Sequence, residues 1–331
     1  MRSFSRLLCS ILLLQLVGCA SPVLQPSGEL NLAPSLEAGR VIATDGMQLP
    51  LSLWQPEGKP VAVLLALHGF NDYRHSFVNL GEALARQGIA VYAYDQRGFG
   101  ETAYHGLWPG TDRLASDAVM VLGLLRARYP GTPVYLLGES MGAAVSLHAI
   151  AALPAGSLAG VVLVAPAVWA RSGMPWYQRD ALWLAAHTFP GLELTGRGLQ
   201  RRATDNHAVL RKLHDDPLVI KKTRVDSLWG LADLMDTALA EASSLVIPAL
   251  ILYGRHDEII PPRAICRMTD RLPRSGPWRM ADYPEGWHML TRDLQADRVI
   301  GDIGAWLRAP HEPLPSGLED PDRRPKHCTE P

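Results

Sequence analysis

Val134-Tyr135-Leu136-Leu137-Gly138-Glu139-Ser140-Met141-Gly142-Ala143-Ala144 is the stretch on which the reading turns. It predicts a short apolar strand, a Gly-x-Ser-x-Gly turn and a helix of small residues, with Val145, Leu147 and Ile150 extending the helix. A serine on such a turn is pushed out of the sheet by a strained backbone. Gly138 and Gly142 supply the room that a tight strand–helix crossing needs. The hydroxyl then lies over a helix N-terminus, whose free N–H groups favour negative charge. Ser140 is therefore the candidate nucleophile.

Similar strands flank it. Residues 61–67 form a continuous apolar run, as expected of a strand buried on both faces of a parallel sheet. Residues 89–94, 158–164, 249–254 and 278–283 read as further strands. Helices are predicted at Phe77, Leu80 and Leu84, over 113–129, and over 294–307. Upstream, residues 41–54 read as a hairpin turning at Asp45-Gly46. The alternation predicts an α/β fold with a doubly wound, mostly parallel sheet.

That alternation breaks at residues 166–245, too long for a connection. Val225, Leu228, Trp229, Ala232, Met235 and Leu239 fall on one helical stripe, so this stretch is expected to be a helical cap inserted over the sheet's C-terminal edge. Trp169, Trp176, Trp183 and Trp229 are expected mainly to pack the cap onto the core, with one or two lining an apolar pocket. Residues 40–165 and 246–308 make up the core.

A net charge of −1 gives no basis for a nucleic-acid partner. Arg2 and Arg6 precede an apolar run over 7–17 that is too short to span a bilayer. The run ends in Leu16-Val17-Gly18-Cys19, which looks like a bacterial lipobox. The expectation is a signal peptide over 1–18, lipidation at Cys19, a flexible tether over 19–39 and anchorage in the cell envelope, at the outer membrane if the host is Gram-negative. An ordinary signal peptide or an uncleaved anchor are the alternatives. Pro-rich, polar residues 309–331 read as a disordered tail. Export would permit a Cys266–Cys328 disulfide, and two free thiols fit the sequence equally well.

A serine hydroxyl needs a base, and the base a third group to fix its tautomer. His288, just after the last strand, is the expected base; His311 and His327 lie in the tail, and His256 precedes the acid. Asp257 directly follows its strand and is the expected carboxylate, ahead of Glu258, with Asp282 expected at the surface. The oxyanion hole is expected from the backbone N–H groups of Phe70 and Met141, with Gly69 permitting the close turn. His68 and Asp95 are expected to be structural.

His68-Gly69, Asp95-Gln96-Arg97-Gly98-Phe99-Gly100, Gly138-Glu139-Ser140-Met141-Gly142, Gly254-Arg255-His256-Asp257 and Glu285-Gly286-Trp287-His288 occur in this order. Over roughly residues 40–308 they resemble the monoacylglycerol lipase/lysophospholipase-like branch of the α/β-hydrolase fold, also labelled serine aminopeptidase S33. The resemblance implies a serine hydrolase without cofactor or metal, acting on monoacylglycerols, lysophospholipids or other carboxylic esters. Peptidase, acyltransferase and non-catalytic lipid-binding readings are the alternatives.

Overall fold

The computed structural model describes residues 20–26, 28, 31–154, 156–196, 201–320, 323 and 328. The expected signal peptide and Cys19 lie outside the described residues.

Strands covered on both faces must bury every side chain, which is why the apolar runs become the middle of the sheet. β4 (Ala62–Leu67), β5 (Ile89–Tyr94), β6 (Val134–Glu139), β7 (Gly160–Val164) and β10 (Ala249–Gly254) are buried throughout. β1 (Ser35–Glu37), β2 (Arg40–Ile42) and β3 (Gln48–Trp54) extend one side and β11 (Trp278–Tyr283) the other. Among the described residues the order is β1-β2-β3-β5-β4-β6-β7-β10-β11. Pairing is parallel from β5 to β11 and antiparallel among β1, β2, β3 and β5. The predicted hairpin turn is present, with Gly46 at φ 82 and its N–H on the Ala43 carbonyl.

Helices close both faces. α1 (Val78–Ala85) and α8 (Ala296–Arg308) pack Leu80, Leu84, Ile303 and Trp306 on one side. α2 (Thr111–Arg128), α3 (Met141–Ala152) and α7 (Pro262–Thr269) pack Leu114, Val121, Val145 and Ile265 on the other. α7, which begins on Pro262, was not anticipated from periodicity.

The segment 166–245 forms the cap. It contains α4 (Trp176–Thr188), α5 (His207–Asp215) and α6 (Val225–Glu241). It also contains an unanticipated two-stranded ribbon, β8 (Glu193–Thr195) with β9 (Lys222–Arg224). The cap meets loops at the C-terminal ends of the parallel strands. Asn71 Nδ2 donates to Thr223 Oγ1 (2.7 Å), Tyr73 Oη to Asp216 (2.6 Å), and Ser227 Oγ to the Gly106 carbonyl (2.8 Å). On α6, Val225, Ala232, Met235 and Leu239 are buried, as the stripe predicted.

The tryptophan expectation holds for Trp169, which packs against the core, and is corrected for two others. Trp176 and Trp183 are 70% and 51% exposed, and the ring that seats the cap is the core's own Trp108. A methyl added to Gly230 would be driven into the Trp108 ring, so α6 and the core meet in full contact there. Aromatic content marks burial only on average, and cannot say which partner of an interface supplies the ring.

Both ends depart from expectation too. The segment taken as a tether lies along the body: Gln25 is buried, with its N–H on the Trp108 carbonyl (2.9 Å) and its Nε2 on that of Leu107 (2.6 Å). β1, within the supposed linker, then pairs with β2 just beyond it. Residues 309–320, expected to be disordered, dock on the exposed edge of β11. Leu314 is buried, Arg279 pairs with Glu319, and the Asp282 N–H donates to the Leu318 carbonyl. A polar segment becomes ordered when an unpaired strand edge offers it partners. Cys266 and Cys328 are disulfide-bonded, with Cα atoms 5.6 Å apart.

Candidate active site

Ser140 sits between β6 and α3 with φ 54 and ψ −113, a conformation costly for a side chain with a Cβ. Neighbouring backbone holds it there: its N–H donates to the Val164 carbonyl (2.9 Å), and its carbonyl accepts from Ala143 (3.0 Å) and Ala167 (3.1 Å). A methyl on Gly142 would overlap the Leu67 carbonyl, and one on Gly138 the Gly142 carbonyl. The crossing therefore needs both glycines.

His288 and Asp257 come together from the loops after β11 and β10. His288 Nδ1 lies 2.8 Å from Asp257 Oδ2, and both residues are buried. An ionised carboxylate only accepts, so Nδ1 carries the proton and Nε2 is left as the basic nitrogen. Asp257 Oδ1 accepts from the Ile259 and Ile260 N–H groups at 2.8 and 2.9 Å, which fixes the carboxylate plane. Close passage of the two loops at Gly254 and Gly286 sets the pairing, with the His256 N–H on the Gly286 carbonyl (2.9 Å). Burial pushes the His288 pKa down, but the adjacent Asp257 and the nearby Glu139 outweigh it and leave it above its ordinary value.

The loop after β4 passes beside the serine: a methyl on Gly69 would sit 3.4 Å from Ser140 Cβ. That is ordinary contact, so closeness rather than steric need describes Gly69. Phe70 follows, packing on Phe99 and Trp108. Met141 opens α3, where first-turn N–H groups have no partner within the helix.

His68 is sealed in. Its Nε2 accepts the Gln96 N–H (3.0 Å), its Nδ1 faces the Gly69 carbonyl (2.9 Å), and burial holds its pKa below the ordinary value. Asp95 ties its loop down by accepting from the Arg74 and Glu101 N–H groups, both at 2.9 Å. Glu258 takes the Arg202 N–H instead of a histidine. Asp282 is buried against Arg255 (2.8 Å) rather than at the surface, because the docked C-terminal segment covers the β11 edge.

Sequence reasoning missed a buried ionic knot beneath the site. Arg292 donates from one nitrogen to Glu139 Oε1 (2.6 Å) and from another to Asp72 Oδ2 (2.7 Å), while Thr291 Oγ1 donates to Glu139 Oε2 (2.9 Å). The position of Glu139 inside the Gly-x-Ser-x-Gly turn was the available signal. A cleft of about 920 Å³ lies between Asn71, the residue after Phe70, and the cap, walled by Leu194, Ile220 and Leu228 and flanked by Lys221 and Lys222; Ser140, Asp257 and His288 do not line it. Among the described residues no group of three His, Cys, Asp or Glu could hold a metal ion.

A doubly wound sheet under a cap, with a strained serine and a paired histidine and aspartate on loops at the strands' C-terminal ends, defines a serine hydrolase of the α/β-hydrolase fold. Residues 58–295 match the family described as serine aminopeptidase, S33, and the chain belongs to that family. The monoglyceride lipase of Rattus norvegicus is 26% identical over 286 residues, spanning 83% of this chain and 91% of that protein. A thermostable monoacylglycerol lipase of Bacillus sp. is 32% identical over 208 residues, 62% of this chain and 74% of that protein. Among solved structures, the monoacylglycerol lipase of Paleococcus ferrophilus shares the fold at TM-score 0.67 and 21% identity, covering 80% of this chain and 99% of that one. A soluble variant of monoglyceride lipase from Saccharomyces cerevisiae, in complex with a substrate analog, does so at 0.69 and 19%, covering 86% and 98%.

Proposed function

We propose that this chain hydrolyses carboxylic esters of the monoacylglycerol or lysophospholipid kind through an acyl-enzyme on Ser140. The single observation that carries the mechanism is the 2.8 Å His288–Asp257 contact, held in loops that are pinned to the Ser140 turn through Glu139. Ser140 Oγ attacks the ester carbonyl carbon as its proton passes to His288 Nε2. The Phe70 and Met141 N–H groups receive the oxyanion, and Asp257 stabilises the imidazolium. Collapse expels the alcohol, protonated by His288. Water, deprotonated by the same ring, then releases the acid. Similarity to monoglyceride lipases supports a lipid ester as substrate. Lipidation at Cys19 would hold the enzyme at the envelope membrane where such esters reside.

The test uses protein lacking residues 1–19, assayed on p-nitrophenyl esters from acetate to palmitate, then on monoacylglycerol, lysophospholipid and aminoacyl-arylamide. Activity should rise with chain length and fall as pH drops through the raised His288 pKa. Ser140→Ala should lose both turnover and fluorophosphonate labelling. Substantial hydrolysis by Ser140→Ala would overturn the mechanism, and a preference for the arylamide would replace the esterase with an aminopeptidase. Labelling of a fatty-acid precursor that disappears in Cys19→Ser tests the anchor.

A further inference from the structure

We infer that Arg292 is a positioning residue for the reaction, one guanidinium that holds the nucleophile turn, the oxyanion loop and the histidine loop in register and balances the charge behind His288. The inference rests on the Ser140 mechanism proposed above.

The three partners come from three places in the chain. Glu139 immediately precedes Ser140, Asp72 lies two residues beyond Phe70, and Arg292 is four residues beyond His288. The Arg292–Glu139 and Arg292–Asp72 bonds of 2.6 and 2.7 Å therefore fix the spacing of all the segments that must converge on a substrate carbonyl. A planar fork can serve two carboxylates in fixed directions, whereas a lysine ammonium is a point charge on a flexible stem.

Stability alone does not account for this arrangement. All three side chains are buried, and desolvating an ion pair commonly costs as much as its attraction returns, so an apolar cluster would fold at least as well. A knot that confers little stability but joins three functional loops is explained by register.

Its charge matters as well. The groups facing His288 are Asp257 from the β10 loop, Glu139 at the end of β6 and Arg292 on its own loop, with Asp72 reached through Arg292. Glu139 favours the charged ring and Arg292 opposes it. Asp293, on the same loop, is pushed up to about 6, first by burial and in smaller part by Asp205 and Glu139, so each variant is also measured in an Asp293→Asn background and the shifts are read there.

The experiment measures kcat and KM against pH for Glu139→Gln, Arg292→Gln and Arg292→Lys in otherwise intact enzyme. Glu139→Gln should move the acid limb of kcat/KM down by about half a unit to one unit, and Arg292→Gln should move it up by a similar amount. Arg292→Lys should leave the limb in place while kcat falls by as much as about 10²-fold with KM little changed, because charge is kept and register lost. Limbs that stay put in Glu139→Gln and Arg292→Gln, or that move in the same direction, overturn the inference, as does an unchanged kcat in Arg292→Lys. If Arg292→Gln does not fold, the near-isosteric Glu139→Gln decides alone. A wild-type enzyme that labels at Ser140, with unshifted limbs in the variants, sinks this inference and leaves the mechanism standing. Hydrolysis by Ser140→Ala sinks the mechanism itself.

Discussion

Core and cap obey different rules in this molecule. In the core, every residue of five parallel strands is buried, and the loops at their C-terminal ends are tied by short bonds among buried charges. In the cap, α4 buries only Ala186 and α5 buries no residue, while Trp176, Tyr177, Trp183, Leu184 and Phe189 face outward. Chemistry needs fixed atoms, so it sits on the part with no slack. The apolar substrate proposed above would need an apolar surface to meet it, and the outward-facing cap side chains would offer one without having to be rigid.

The largest expected effect lies in the core. Asp257→Asn should lower kcat by about 10⁴-fold with the melting temperature little changed, because the amide favours the wrong His288 tautomer. Retained activity would mean that the carboxylate does not orient the ring. Next comes a paired glycine test. Gly142→Ala drives a methyl into the Leu67 carbonyl and should cost about 3 kcal/mol or more in urea unfolding. Gly196→Ala in the cap, where a methyl meets nothing within 4 Å, should cost less than about 0.5 kcal/mol. Equal costs would break the contrast between the two regions.

A third test reads the core's electrostatics. Burial pushes the Asp293 carboxyl up to about 6, so the folded protein holds that proton more tightly than the unfolded chain. The group therefore weakens the fold above pH 6, and the penalty fades as pH falls through that value towards the ordinary range. Asp293→Asn, whose side-chain oxygen can still accept the Trp287 N–H, should gain about 1–2 kcal/mol at pH 8 and progressively less below pH 6. A gain independent of pH would show that packing, not ionisation, is being changed.

The smallest effect belongs to the cap. Trp176→Ser combined with Trp183→Ser should leave stability within about 0.5 kcal/mol. It should reduce hydrolysis of aggregated long-chain esters about fivefold, and leave the acetate ester unaffected, by removing apolar contact area. Loss of acetate hydrolysis would place these rings in the architecture of the site instead.

How much was legible depended on how local the signal was. The strand positions, the Ser140 turn and the positions of Asp257 and His288 after their strands are written within a few residues each, and the structure has the same strands and the same His–Asp contact. The Arg292 knot spans 153 and 220 residues of chain, beyond any periodicity or motif. Trp108 was unremarkable in a loop, and becomes the seat of the cap only because Gly230 arrives above it. The two terminal segments were judged on composition, which reports how much apolar surface a stretch could bury. It does not report whether an open strand edge or a bare carbonyl awaits it.

The sequence by itself determined the layered sheet, the strained serine and the places of Asp257 and His288 after their strands, because burial pattern and backbone permission are properties of short stretches. Only the tertiary structure decided which distant charge is shared between the site's loops, which ring carries the cap and which polar ends become part of the body. Those outcomes depend on surfaces that exist only once the sheet has formed.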